Sequence, residues 1–501
     1  MIYLSTQTPE YFNDLCDVIR IFFGAVSIEL WNGAADPPPL SSNDLYIRHT
    51  FSDKALTWEN NAFLTTGDGQ EAGYTFVFQP PQGMDALVRK RYLKRCAKIA
   101  CFRTLMQYTG RKMPWGSLTG IRPARLLRDL ASEGMGPEAA EVQLIDLFDC
   151  SQEKADLVYE TVKNQEPIIR TQQKGDLDIY IGIPFCVSRC LYCSFTSYAI
   201  SKKREEARTY LEALLAEMDG TAAAMQAGRK IRNIYIGGGT PTALNVHELE
   251  ALLDTVSRSF FNDSIEYTVE AGRPDTLDRD KLALMKDHGV SRISINPQSM
   301  NEKTLAAIGR CHSAAQTYEA FEAARKTGFD CINMDIIAGL PGENIDDFNH
   351  TLQEIRSLGP DNLTVHTLAV KRASRLHEET GKHALPGLNE VEKMVDASYG
   401  TAKEMGMAPY YLYRQKYMTG NLENVGYSTP GKECIYNIDI MEESVDILAF
   451  GAGAISKKIF PKGRIERLPN PKDLKYYLEG LHTIIEKKRA MVNHNVQNGI
   501  H

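Results

Sequence analysis

From residue 177 to about 370 the chain repeats one pattern six times: a short apolar run that reads as a strand, then a stretch of helical period. The runs are LDIYIGIP, IRNIYIG, IEYTVEA, SRISINP, CINMDIIAG and NLTVHTLA, and helical patterns over 203–225, 247–259, 277–288, 314–327 and 345–357 separate them. Strands that alternate with helices predict βαβ units, and such units wind right-handed into a parallel sheet. Six units fall short of the eight of a closed (β/α)8 barrel, so the expected fold is α/β, a partial (β/α)6 TIM-like barrel.

Around this core the patterning changes. Residues 1 to about 84 hold short alternating runs (VSIELWN, DLYIRHTF, GYTFVFQ) between Gly, Pro and Asn turns, followed by a helical pattern over 85–108. These predict an N-terminal α+β module over 1–170, ending at the charged, Gln-rich linker KNQEPIIRTQQKGD. The barrel is expected over 171–370. A C-terminal α/β extension that closes the active site is expected over 371–501, with mixed signals to about 480 and a frayed tail.

Apolar residues make up 43% and charged residues 24% of the 501, which suits a soluble globular chain. The longest apolar stretch, VIRIFFGAVSIELW, is broken by Arg20 and Glu29, and the acidic N-terminus lacks the basic and apolar regions of a signal peptide. The expectation is a cytoplasmic protein with no membrane contact. Its net charge of −7 gives no global attraction to nucleic acid, but Arg89 to Arg128 holds many Lys and Arg and no acidic residue. A solvated basic face, an RNA contact and a carboxylate-binding surface are all compatible with that segment.

Ten cysteines are too few for a disulfide scaffold, yet three of them, Cys186, Cys190 and Cys193, stand at C-x3-C-x2-C spacing directly after the first strand. Three thiolates on one loop can hold three irons of a 4Fe-4S cubane and leave the fourth iron open for an exogenous ligand. A zinc site would call for a second C-x2-C pair or a nearby His, and neither follows Cys193 closely. Three buried structural cysteines within eight residues of a loop would be poor core patterning.

After the second strand comes IYIGGGTPTAL, in which three consecutive glycines allow close backbone approach to a ligand and Thr240 and Thr242 add hydroxyls. Glu270, Gln298, Asp335 and His366 fall at or near the ends of later strands, where barrels of this kind collect their chemistry.

The C-x3-C-x2-C loop, with Tyr192 just before its last Cys, resembles the radical S-adenosylmethionine superfamily, whose partial barrel has six such units. The longer run IPFC…C.YC…GGGTPT…VEA…SINPQS…R…MDIIAGLP is similar to the oxygen-independent coproporphyrinogen III oxidase (dehydrogenase) family, in its HemZ-like long branch, over about 177–460. The resemblance implies a 4Fe-4S cluster on Cys186, Cys190 and Cys193. It implies one S-adenosylmethionine at the cluster, contacted by Tyr180, Tyr192, Gly238 and Glu270. Gly239, Thr240, Gln298, Arg310, Asp335 and Ala369, with Ile455 in FGAGAIS, would correspond to the family's second S-adenosylmethionine site.

The family reaction is oxidative decarboxylation of two propionates of coproporphyrinogen III to vinyls in heme biosynthesis, giving protoporphyrinogen IX. It implies a tetrapyrrole substrate and a reducing partner of flavodoxin or ferredoxin type. Two positions depart from the family pattern: Gly182 stands where the family commonly has His, and Phe195 stands where the oxidase has a further Cys. Heme-binding relatives share the second departure. A heme carrier, with His366 or His312 as candidate ligands, and a radical enzyme acting on tRNA are the rival readings.

Overall fold

The computed structural model describes residues 1–24, 26–32, 37–54, 56–120, 122–195, 197–225, 229–260, 265–415, 418, 421–461 and 464–493, so the tail 494–501 lies outside the described residues. The chain forms two compact units, Met1–Tyr159 with Arg414–Leu422, and Glu160–Tyr413 with Glu423–His501. Among the described residues no helix is long and apolar enough to cross a membrane.

The first unit is a five-stranded sheet of β1 (Ile2–Thr6), β2 (Ile28–Leu30), β3 (Leu45–Lys54), β4 (Thr57–Thr66) and β5 (Glu71–Phe78), in the order β2-β1-β3-β4-β5. Strand β1 runs parallel to both its neighbours, while β3, β4 and β5 form an antiparallel meander. Sequence patterning marks β2, β3, β5 and the helix Ala86–Thr109, but passes over β1, β4 and the helix Phe12–Phe23. Strand β4 is masked by Asn60, a polar residue at a buried position, where its Oδ1 pairs with His49 Nε2 at 3.1 Å.

The second unit holds β6 (Asp176–Ile183), β7 (Phe185–Cys186), β8 (Tyr198–Ala199), β9 (Lys230–Gly238), β10 (Glu266–Val269), β11 (Arg292–Ser294), β12 (Cys331–Ala338) and β13 (Asn362–Thr367). It continues with β14 (Ala408–Tyr413), β15 (Asn424–Ser428), β16 (Asp446–Phe450), β17 (Ile455–Ile459) and β18 (Ile465–Pro469). The six expected core strands are β6, β9, β10, β11, β12 and β13, adjacent in that order and parallel throughout. The connecting helices are Arg204–Ala222, Val246–Ser259, Arg279–Asp287, Ala314–Thr327 and Ile345–Leu358. Three of them open with reciprocal caps, Asn245 with Glu248, Ser313 with Gln316 and Asn344 with Asp347, which explains their sharp starts. The sheet extends past the core at both edges, with β15 and β14 beside β13 and with β16, β17 and β18 beside β6.

Side chains alternate across each core strand. Ile179, Ile181, Ile183, Ile234, Ile236, Tyr267, Val269, Ile293, Met334, Ile336, Leu363 and Val365 are buried on the apolar face. The other face is polar and pairs across neighbouring strands. Asn233 Nδ2 donates to Asp178 Oδ1 at 2.7 Å, Arg292 Nη2 to Glu266 Oε2 at 3.2 Å, Asn333 Nδ2 to Ser294 Oγ at 3.2 Å, and Thr364 Oγ1 to Asn333 Oδ1 at 3.1 Å.

The C-terminal segment is fastened by a buried ion pair between Glu217, on the helix Arg204–Ala222, and Lys488, on the helix Leu481–Asn493; both side chains are fully buried. Glu217 also accepts from Tyr477 Oη at 2.7 Å, Asn470 Nδ2 at 2.9 Å and the Gly451 amide at 2.9 Å. Removing the carboxylate strands a buried ammonium, so Glu217→Leu is expected to cost about 3–5 kcal/mol. Lys488→Met leaves Glu217 with three donors and is expected to cost roughly 1–3 kcal/mol. Urea unfolding followed by circular dichroism checks the order; equal losses would show that the surrounding hydrogen bonds do not support the carboxylate.

Candidate active site

The cysteine loop starts as soon as β6 ends. Phe185–Cys186 pairs with Tyr198–Ala199, closing the loop at its base, and the Cys193 amide donates to Cys190 O at 3.2 Å. The Leu191 amide donates to Ile308 O at 2.9 Å, and Ser188 Oγ donates to Gly309 O at 3.1 Å, so the loop is pinned from the side as well. Arg273, buried and held by Asp275 at 2.9 and 3.0 Å, adds a bond from Nη1 to Ser188 Oγ at 2.9 Å.

The glycine loop lies directly against this one. Its Gly239 amide donates to Ile183 O at 2.8 Å and its Thr240 amide to Phe185 O at 2.7 Å. A Cβ on Gly239 would lie 2.6 Å from Phe185 O and 2.8 Å from Ile183 O, so any side chain there would push the two loops apart. Gly238, at φ +106°, adopts a backbone that favours glycine. The Thr240 hydroxyl reaches Cys186 Sγ at 3.5 Å. Thr242, by contrast, turns inward to Thr276 Oγ1 at 2.6 Å and is fully buried, which makes it a structural residue.

Burial pushes the Cys186 thiol up to about 11, the Cys190 and Cys193 thiols add to that rise, and Cys193 is raised for the same first reason. The metal-free Cys186 and Cys193 thiols are therefore protonated at neutral pH, and metal binding there would release protons. Among the described residues no three His, Cys, Asp or Glu side chains are gathered to chelate one ion. Tetrahedral zinc thiolates, with bonds of roughly 2.3 Å, crowd around a single atom. A cubane takes one thiolate per iron and asks for no such crowding, so three mutually interacting thiols on a pinned loop suit it.

Glu270, just past β10, is the acidic centre of the site. Its Oε1 accepts from Tyr235 Oη at 2.5 Å and its Oε2 from the Gly238 amide at 3.1 Å. Burial pushes its carboxyl up to about 7, against the downward pull of the Tyr235 bond. Tyr180 stacks on Tyr235 (6.3 Å between centroids, 17°) and on Tyr436 (6.0 Å, 16°), and Tyr235 stacks on Tyr436 at 4.4 Å.

Further around the core, the Gln298 amide donates to Asp335 O at 2.9 Å and Gln298 O accepts from Ile337 N at 3.0 Å, which holds Gln298 at φ +69°. A non-glycine residue in that conformation is strained and persists only where its surroundings hold it. Burial opposes the ionised form of Asp335, but bonding to His366, Asn333 and Thr364 prevails and keeps its carboxyl below the usual range. His366 lies between Asp335 Oδ2, 3.6 Å from Nε2, and Tyr413 Oη, 3.2 Å from Nδ1. Arg310 donates to Asn296 O at 2.6 Å and to Tyr192 Oη at 3.5 Å, while its buried Nε has no partner among the described residues.

The sequence-identified residues therefore meet in linked groups: the cysteine loop with Gly239 and Thr240, Glu270 with Gly238, Tyr192 with Arg310, and Gln298 with Asp335. Ala369 follows β13 and is half-buried. Ile455 opens β17 and is 41% exposed, whereas its neighbour Ala454 packs in the cluster that touches Tyr180. His312 is buried and pushed down to about 4, by burial first and Arg310 second, so it is a neutral imidazole at pH 7. Sequence reasoning missed Tyr235, Arg273, Tyr413 and Tyr436; the inward register of β9 two residues before Gly237 could have found the first.

A family model described as the radical SAM superfamily matches residues 180–355. The oxygen-independent coproporphyrinogen-III oxidase-like protein HemZ of Bacillus subtilis is 41% identical over 428 residues, 84% of this chain and 85% of that one. The chain belongs to this branch of the radical SAM superfamily. Its cofactors are those of the superfamily, a 4Fe-4S cluster and S-adenosylmethionine. The heme chaperone HemW of Haemophilus influenzae is 30% identical over 315 residues, 62% of this chain and 78% of that one. The solved coproporphyrinogen III oxidase HemN of Escherichia coli shares the fold, with a TM-score of 0.50 and 23% identity over 63% of this chain and 71% of that one.

The Glu270 environment sets a pH dependence. Burial favours the protonated carboxyl, so the folded cofactor-free chain holds this proton more tightly than the unfolded chain does. The stability it contributes is complete below the ordinary carboxyl range and is lost as pH rises through about 7. Thermal unfolding from pH 5 to 8 is expected to show a falling midpoint that Glu270→Gln flattens; a parallel slope in the variant would assign the dependence to other groups.

Proposed function

We propose that this chain is a radical S-adenosylmethionine enzyme that oxidatively decarboxylates propionates of coproporphyrinogen III to vinyls, giving protoporphyrinogen IX. The observation that carries the reading is the direct bonding of the glycine loop to the cysteine loop, with the Glu270 carboxylate anchored on the Gly238 amide beside them. Cys186, Cys190 and Cys193 would hold the cluster. Gly238, with Tyr180, Tyr192 and Glu270, would receive S-adenosylmethionine, Glu270 meeting its ammonium group. When bound, this pair would use one electron to yield a 5′-deoxyadenosyl radical that takes a hydrogen atom from the substrate, whose loss of carbon dioxide and of one further electron to an acceptor leaves the vinyl group. The tyrosine stack walls one side and excludes water, and Arg273 keeps the thiol loop in register.

Gly239, Thr240, Gln298, Arg310, Asp335, Ala369 and Ile455 would line a second S-adenosylmethionine site. A flavodoxin- or ferredoxin-type donor would supply the electron. A second reading, a heme carrier built on the same core, is favoured by two observations. Phe195 on the cysteine loop is 67% exposed, with the Lys371 ammonium 6.0 Å from its ring, and a relative at 30% identity is named a heme chaperone.

Anaerobic reconstitution with iron and sulfide, followed by S-adenosylmethionine, reductant and coproporphyrinogen III, separates the two. The enzyme reading expects 5′-deoxyadenosine and decarboxylated porphyrinogen to form together. Glu270→Ala is expected to keep the cluster absorbance while weakening S-adenosylmethionine binding at least tenfold, and Cys186→Ala to lose the cluster. Stoichiometric heme uptake with no porphyrinogen product would overturn the enzyme reading in favour of the carrier.

A further inference from the structure

The first unit contains a cavity of about 480 Å3 that the site described above does not use. One wall is the helix Ala86–Thr109, which presents Arg91, Lys94, Arg95 and Lys98 at i, i+3, i+4 and i+7, a single stripe. Facing it are Ser117–Gly120 and the start of the helix Pro123–Leu130, with Arg122 at its N-cap position and Arg125 one turn in. That helix start has no side-chain cap, so its amides add partial positive charge.

Close packing and hydrogen bonds hold the facing wall in place. Trp115 is buried, with Arg414 4.8 Å over its ring, and the Arg414 guanidinium donates to Leu118 O at 2.7 Å. Gly116, at φ +51°, packs so closely on Phe148 that a Cβ could not be accommodated, and the Ser117 amide donates to Phe148 O at 2.7 Å. Ser117–Gly120, within the Trp-containing stretch MPWGSLTGIRP, thus build a wall of this cavity.

Six cations and three carboxylates, Asp14, Asp17 and Asp129, line the space. Asp129 is 3.5 Å from Arg91 and Asp14 is 3.4 Å from Lys94. Lys98 has no hydrogen-bond partner among the described residues, and burial pushes its ammonium down to about 8 despite the opposing influence of Asp14. A half-buried ammonium with no hydrogen-bond partner, on a stripe of cations that lines a cavity, is a receptor for oxyanions.

We propose that this cavity binds a small molecule bearing at least two anionic oxygen groups, phosphoryl or carboxylate. A nucleoside diphosphate or pyrophosphate would place two phosphoryl groups between the helix stripe and Arg125. A tetrapyrrole would insert its propionate arms and leave the macrocycle outside. The site is independent of the reaction proposed above, because its ligands need neither cluster nor turnover.

The test is equilibrium binding to the full-length, metal-free chain at about 0.15 M salt, titrating inorganic pyrophosphate, ADP and coproporphyrin III separately by calorimetry. At least one is expected to bind, with affinity reduced tenfold or more in both Lys98→Ala and Arg125→Ala and unchanged in Arg170→Ala, a surface position on the other unit. Binding by the first two identifies a phosphoryl ligand, and binding by coproporphyrin alone identifies carboxylate arms. Thermal unfolding of each variant confirms folding; should Lys98→Ala misfold, Arg125→Ala and Arg95→Ala carry the comparison. No binding by any of the three, or equal binding by wild type and variants, overturns the proposal.

Discussion

A parallel sheet with charged and hydroxyl-bearing side chains on one face is stabilised where those side chains find partners on the neighbouring strands, since an unpaired buried polar group costs more than a hydrogen bond gains. That constraint organises the second unit. Asp178 with Asn233, Glu266 with Arg292, and Ser294 with Asn333 and Thr364 are rungs of one polar ladder. Because those rungs fix strand register, they also fix where Glu270, Gln298, Asp335 and His366 emerge. The apolar face does the opposite work, with aliphatic side chains burying the sheet against its helices.

The two carboxylates nearest the chemistry show how the same ladder yields different environments. Glu270 has a phenol and one amide to bind and is pushed up by burial, whereas Asp335 is surrounded by Asn333, Thr364 and His366 and stays ionised. One group can therefore exchange a proton near neutrality while the other remains a fixed charge, a division of roles set by neighbours rather than by residue type. Tyr235, stacked with Tyr180 and Tyr436, acts on Glu270 in the opposite sense to burial, its hydroxyl bond pulling the carboxyl down.

Much of this was legible in the sequence because the chemistry is local there. Cys186, Cys190 and Cys193 share one loop, Gly237, Gly238 and Gly239 another, and the six strand-helix units declare themselves by period alone. What was hidden is what long-range pairing creates. Tyr436 lies far along the chain from Tyr235 yet stacks on it, Tyr413 reaches His366 from an edge strand, and β4 conceals its alternation behind a buried Asn60. The polar face was hidden for a related reason: Asn233 or Arg292 read alone looks like a strand end, and only its partner shows that it belongs inside.

Strand β16 lies parallel to β6, from Leu177↔Asp446 to Ile181↔Phe450, more than half the chain length away. The thiol loop springs from the end of β6, so during synthesis Cys186, Cys190 and Cys193 leave the ribosome long before the strand that flanks their support exists. Pairing over such a separation is slow to form. The loop must therefore spend the interval without its final neighbour, and the order in which the chain is made leaves the thiols open to iron, or to oxidation, before the fold can shelter them.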